Sequence, residues 1–278
     1  MPEGDTIHRA AAALRSALVD QKMLFFEAPR LVGLTPRAGR TIERVESHGK
    51  HLEIEWDDGI ILHTHMRMSG SWHLYRKGQS WLRNHRDVRA LIEVDGWVAV
   101  CFNAPLVETY RHPDASRHPG RRALGPDLCR ADADLRRCVD GLLAYDDPHA
   151  TIAEVLLDRR VFCGVGNVYR CEVLWVAELS PFASVGELPE ADAVRLVNLA
   201  AQLLRANLRH AQRVTIPGVR GGLAVYGRSG QPCQRCSSTV LSRRTGEFAR
   251  TLYWCPGCQV RLAPRRPPAP PEPVLTTI

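Results

Sequence analysis

The chain has 278 residues and a mass of 31.1 kDa, room for two domains at roughly 100–200 residues each and a small third module. An apolar share of 45% and a charged share of 24% exclude wholesale disorder and collagen-like repeats, and no stretch reaches the ~18 uninterrupted apolar residues of a membrane helix. The net charge of +7 is unevenly placed: residues 205–266 hold 12 basic residues and one acid, Glu247, so the remainder is mildly acidic and the basic segment suits a polyanion.

The start, Met1-Pro2-Glu3-Gly4-Asp5, is acidic and has no apolar core of a secretory signal, so an intracellular protein is expected. Asp5 can cap a helix running to about Leu18, with Ile7, Ala10, Ala11, Leu14 and Leu18 on one face. From about Gln21 to Asn103 the period becomes two. Leu52, Ile54 and Trp56 alternate with His51, Glu53 and Glu55, and Asp58-Gly59 and Asp95-Gly96 are hairpin turns, which predicts a β-sandwich or barrel. Residues 112–127, rich in Pro, Gly and basic side chains, read as a connection between domains. Helical periodicity follows at about 134–144, 149–158, 167–178 and 189–210. A short β module is expected at 228–262, and the Pro-rich tail 263–278 reads as disordered.

Nine cysteines in an intracellular chain argue against a disulfide framework. Cys101, Cys129, Cys138, Cys163 and Cys171 are scattered and read as small buried hydrophobes. Cys233, Cys236, Cys255 and Cys258 form two C-x-x-C pairs, which bring four thiolates to one ion and imply a closed, structural Zn²⁺ site. The residues between the pairs read as a hairpin around Gly246, from which Arg243, Arg244 and Arg250 project. A zinc-clamped, arginine-bearing hairpin suits a phosphate backbone better than a purely structural ribbon.

Three other places can carry chemistry. Gly164-Val165-Gly166-Asn167 opens a helix whose free N–H groups suit an anion, although alone it equals any glycine turn between packed helices. With Met1 removed, Pro2 would present a secondary amine, and a chain α-amine titrates near ~7.7–8.0, so it can attack a sugar aldehyde carbon. Glu3 beside it can shuttle protons; read alone, the pair is more simply the ragged start of a helix. Lys50 is one of only three lysines, with Lys22 and Lys77, among 37 basic residues. It fits a role needing a titratable ammonium that arginine cannot fill, the plainer reading being a surface lysine. His63 and His65 share a strand face, but a third metal ligand nearby is not evident, so polar or substrate-facing roles are expected.

Pro2-Glu3-Gly4, His48-Gly49-Lys50, Met66-Arg67-Met68-Ser69-Gly70, Leu124-Gly125-Pro126-Asp127, Gly164–Tyr169 and the four-cysteine finger, in this order, resemble the formamidopyrimidine-DNA glycosylase/endonuclease VIII family from Pro2 to about Arg261. The resemblance implies an α+β multidomain fold: an N-terminal β-sandwich with an N-terminal helix (1–118), a connection (119–133), a helix-two-turns-helix domain (134–227), a C-terminal zinc-finger β-hairpin (228–262) and the tail (263–278). It implies a bifunctional DNA glycosylase/AP lyase of base-excision repair. Pro2 then resembles the Schiff-base nucleophile, Glu3 the general acid/base and Lys50 the ammonium that supports elimination. Asn167 and Arg250 resemble the pair that grips phosphates, and Met68 a wedge behind the flipped base. It further implies one Zn²⁺, damaged double-stranded DNA as partner, and a monomer in the bacterial cytoplasm at the nucleoid, away from membranes. Cys101–Val107 departs from the purine branch's Asp-Pro-Arg-Arg-Phe-Gly loop and looks closer to the endonuclease VIII branch, which favours oxidised pyrimidines; the Met68 segment looks closer to the other branch. The rivals are a zinc-finger DNA-binding protein without catalysis and an RNA-binding zinc ribbon.

Overall fold

The computed structural model describes residues 2–111, 124–219 and 221–262. Helix α1 spans Gly4–Leu18 and buries Ile7, Ala11, Leu14 and Leu18, the stripe expected from the sequence. Its cap is the backbone of Glu3 rather than Asp5, which sits inside the first turn with its carboxylate turned to Arg213 at 2.5 and 3.0 Å. A half-buried guanidinium outcompetes the local N–H groups for that carboxylate.

Eight strands follow: β1 (Phe25–Glu27), β2 (Ile42–His48), β3 (His51–Trp56), β4 (Ile60–His65), β5 (Ser71–Arg76), β6 (Val88–Val94), β7 (Trp97–Phe102) and β8 (Leu106–Arg111). They form two antiparallel four-stranded sheets, β1-β6-β7-β5 and β2-β3-β4-β8. Leu52, Ile54 and Trp56 meet Trp72, Ile92 and Ala99 in one apolar core closed by α1, which makes this half a sandwich. Each of the fully buried Leu52, Ile54 and Ile92 contributes roughly 1.5–3 kcal/mol.

The second half is helical: α2 (Leu135–Leu143), α3 (Ile152–Val155), α4 (Asn167–Ala177) and α5 (Glu190–Ala206). The helix expected at 149–158 is one turn, started by a Thr151–Glu154 capping box. The Asp158 side chain ends it by taking the Arg160 N–H at 2.9 Å. The last helix stops at Ala206 because the Asn207 side chain bridges Leu203 O, Val214 O and the Val214 N–H at 2.7–2.9 Å, which reverses the chain. Of the expected connection, residues 119–123 lie outside the described residues, as does the tail 263–278. Residues from 125 onward pack on the helical half, where Gly125 N–H donates to Arg159 O and Leu128 N–H to Cys163 O. The finger hairpin, β9 (Leu241–Thr245) and β10 (Arg250–Trp254), adds Val240 and Leu252 to the helical core. The scattered cysteines are all buried, as expected.

Candidate active site and nucleic-acid interface

The two halves meet where the chain starts. Gly4 N–H donates to Gly164 O at 2.9 Å, and a Cβ on Gly4 would stand 2.5 Å from Gly164 Cα, so the N-terminal segment lies flat against the glycine turn before α4. Glu3 then inserts its carboxylate into the start of α4. It accepts from Gly166, Val168 and Tyr169 N–H at 3.0, 2.8 and 3.2 Å. The carboxylate at this helix terminus is therefore a side chain of the protein itself, in keeping with a helix start that suits an anion. Gly166 is required here, because a Cβ would fall 2.4 Å from Glu3 Cδ.

Glu3 is fully buried. Burial pushes its pKa up, against the opposing pull of Arg213, the Val168 N–H and Lys50. The net result is a carboxyl whose pKa lies above the ordinary value, adjacent to the half-buried Pro2. Lys50 shares this environment. Burial lowers its pKa, Glu3 raises it, and Arg250 and Arg213 lower it. Lys50 stands on the β2–β3 turn, which is tied to the helical half by Gly49 N–H donating to the Asp127 carboxylate at 2.7 Å and by His48 on Gly125 O at 3.0 Å.

Asn167 opens α4 and is 5% exposed. Its Nδ2 donates to Thr251 O at 2.8 Å, while its Oδ1 accepts from Arg170. Because Thr251 follows Arg250 on β10, Asn167 and Arg250 are brought together, and Nδ2 keeps a second proton for another acceptor. Arg250 lies over the ring of Phe248 at 5.5 Å. Met68 is joined to the site through Met66, whose N–H donates to Lys50 O at 3.1 Å, and its side chain is 64% exposed.

The four cysteine sulfurs lie within 4.8 Å of one another. Cys233 and Cys258 are 3.8 Å apart and Cys236 and Cys255 3.4 Å, near the about 3.8 Å edge of a tetrahedron with 2.3 Å metal–sulfur bonds. Trp175 Nε1–H and the Arg235 N–H donate to Cys233 Sγ, the outer support a thiolate ligand needs. The donor set fits a metal ion.

Several groups escaped the sequence reading. Arg213 pairs with Asp5, lies over Tyr169 at 4.9 Å and stabilises charge on Glu3, yet its segment has no periodicity to mark it. Glu172, also fully buried, gathers the N–H groups of Ala224, Val225 and Tyr226 at 2.7–2.9 Å and fixes the loop that carries Arg213. His51 is the histidine missing beside His63 and His65. Its Nδ1 meets His63 Nε2 at 2.7 Å, and His63 Nδ1 meets Glu108 at 2.8 Å. Burial, then neighbouring His65, pushes His51 down to about 2; burial, then Arg159, pushes His65 down to about 4, so both are neutral at physiological pH.

The formamidopyrimidine-DNA glycosylase N-terminal domain profile matches residues 1–105, and the H2TH domain profile of the same enzymes matches residues 124–217. With the relatives below, this shows that the chain belongs to the formamidopyrimidine-DNA glycosylase family, the DNA glycosylase/AP lyases of base-excision repair. It is 40% identical to the "Probable endonuclease 8 2" of Streptomyces coelicolor, over 95% of this chain and 96% of that one. It is 38% identical to the "DNA-(apurinic or apyrimidinic site) lyase Nei2" of Mycolicibacterium smegmatis, over 93% and 99%. The fold is that of Lactococcus lactis Fpg solved with abasic-site DNA, at a TM-score of 0.78 and 22% identity, covering 93% of this chain and 99% of that one. Among the described residues no helix is long and apolar enough to cross a membrane.

Proposed function

We propose that this chain excises oxidised bases, pyrimidines in preference, through a Schiff base at Pro2, and then severs damaged double-stranded DNA by β- and δ-elimination. The observation that carries the reading is the docking of Glu3 on α4, which sets Pro2 next to a buried carboxyl of raised pKa that interacts with Lys50. With Met1 removed, the Pro2 nitrogen attacks C1′ of the damaged nucleotide. The bond from C1′ to the base breaks, and the departing base takes up the proton the amine loses. Glu3 supplies a proton to the sugar ring oxygen as its bond to C1′ opens, leaving an iminium that is cationic without further protonation. Loss of a C2′ proton then expels the 3′-phosphate, and a second elimination expels the 5′-phosphate. Lys50, Asn167 and Arg250 hold the phosphates and Met68 fills the space of the extruded base. The ion on the four cysteines is one structural Zn²⁺, which holds β9–β10 and so Arg250 in place. The protein acts as a monomer in the bacterial cytoplasm, at the nucleoid.

Support for the pyrimidine preference comes from the endonuclease 8 relatives and from Cys101–Val107, which has neither Arg nor a second Phe after Phe102. The test is single-turnover cleavage of duplexes carrying one oxidised pyrimidine, one 8-oxoguanine or one preformed abasic site. Faster release of the pyrimidine, with abasic cleavage fastest, is expected. Preferential release of 8-oxoguanine contradicts the specificity, and intact abasic strands contradict the lyase assignment.

A further inference from the structure

The long crossing from β5 to β6, residues 77–87, packs Trp81 on a cluster that includes Tyr75, Val100 and Phe102 and ends at Asp87, whose carbonyl accepts from Asn103 N–H. It is held rigidly. Trp81 stacks on His85 at 4.1 Å and on Tyr75 at 6.2 Å, and meets Phe102 edge-on at 6.1 Å. The Leu82 N–H donates to the Tyr75 hydroxyl at 3.2 Å, and Asn84 caps the turn at His85–Asp87. Yet the Leu82 side chain is 84% exposed, the most exposed large apolar side chain among the described residues. Arg83 and Arg86 flank it, both exposed and without an ion pair among the described residues.

This apolar tip is joined to the site by a continuous line of contacts. Lys50 O accepts from Met66 N–H, and Met66 starts the turn that carries Met68. Ser69 of that turn donates to Asn103 O at 3.2 Å, and Asn103 N–H donates to Asp87 O at 2.8 Å, at the end of the crossing. Asn103 has a φ of +53°, a left-handed conformation that lets one residue face both loops. Met68 with Arg67 and Leu82 with Arg83 thus repeat one pattern on adjoining loops, an exposed apolar side chain beside a guanidinium. A third instance, Phe248 at 74% exposure beside Arg250, lies on the finger.

We propose that Leu82 is a second apolar wedge, which enters the base stack of duplex DNA beside Met68 while Arg83 and Arg86 hold the flanking phosphates. The inference rests on the proposed DNA-repair reading. The partner follows from the chemistry: an apolar side chain on a preorganised loop unstacks bases, and unpaired arginines beside it neutralise a polyanion. Leu82 acts where a base must leave a stack, and contributes nothing on a single strand.

The test uses the full-length mature protein and a duplex carrying a tetrahydrofuran abasic analogue, which cannot form a Schiff base, with 2-aminopurine in the facing strand. Wild-type binding is expected to raise 2-aminopurine fluorescence severalfold. Leu82→Ala should lose at least about half of that rise, while its affinity for single-stranded DNA of the same sequence stays within about twofold of wild type. Arg83→Ala should keep the rise and reduce the salt slope of binding by about one. A full fluorescence rise with Leu82→Ala overturns the proposal. So does an equal loss of affinity for single and double strands, which marks a structural defect. Wild-type protein that fails to bind the analogue at all overturns the DNA-repair reading itself, a result separable from either.

Discussion

Glu3 and Lys50 show what function costs at the scale of a residue. Both are ionisable groups shifted toward neutrality by desolvation, the buried Glu3 upward and the half-buried Lys50 downward. The folded state therefore binds the Lys50 proton more weakly than the unfolded chain does. The penalty is full below the folded pKa of Lys50 and disappears as pH rises toward about 10.4, where the unfolded chain also loses that proton. Lys50→Met is accordingly expected to abolish strand cleavage yet raise Tm by a few degrees at pH 7, with the gain closing as pH rises through 9 and 10. Calorimetry across that range checks it, and a lower Tm at pH 7 would contradict the account. That Lys50 deserved attention was legible from its rarity among arginines. Arg213, which pairs with Asp5 and pulls down the pKa of Glu3, was not, because its placement depends on how Glu172 folds a segment with no period of its own.

Elements with a repeating pattern were legible, and those defined by distant contacts were not. The stripe on α1 and the alternation in β3 follow from side-chain periodicity, and the observed core uses both. The start of α4 was visible as a glycine turn suited to an anion, but its occupant was not: the carboxylate comes from 163 residues away, and local sequence carries no trace of that pairing. Gly166→Ala tests this contact. A Cβ there displaces the Glu3 carboxylate, so Tm should fall by several degrees and base release by more than about tenfold, since a mislocated proton donor is worth that much. Unchanged kinetics would mean that Glu3 is not held by α4 when it acts. The finger was legible from cysteine spacing alone, because two C-x-x-C pairs fix ligand geometry locally. Cys255→Ser should lose the metal by elemental analysis and weaken DNA binding more than it changes the melting of the sandwich half. Full metal occupancy in that variant would exclude the four-thiolate site.

For the whole molecule, the apolar core inside the sandwich and the one shared by helices and finger are joined at the first residues of the chain. The basic segment around 205–266 suggests a polyanion from the sequence, which agrees with membership of a family of DNA glycosylase/AP lyases. What composition and periodicity did not give is the relation of the halves, since it is set by a few hydrogen bonds such as Gly4 to Gly164 and Gly49 to Asp127. On the proposed reading the nucleophile is the Pro2 nitrogen rather than any side chain. The most direct measurement is therefore borohydride trapping on abasic duplex DNA with two forms of the protein. The mature chain, whose Pro2 nitrogen is a free secondary amine, should become covalently joined to the DNA and should cleave it. A form that keeps Met1, in which the same nitrogen is an amide without a basic lone pair, should bind the duplex but neither trap nor cleave. Trapping by the Met1-retained form at the mature rate would contradict the account and move the nucleophile to Lys50.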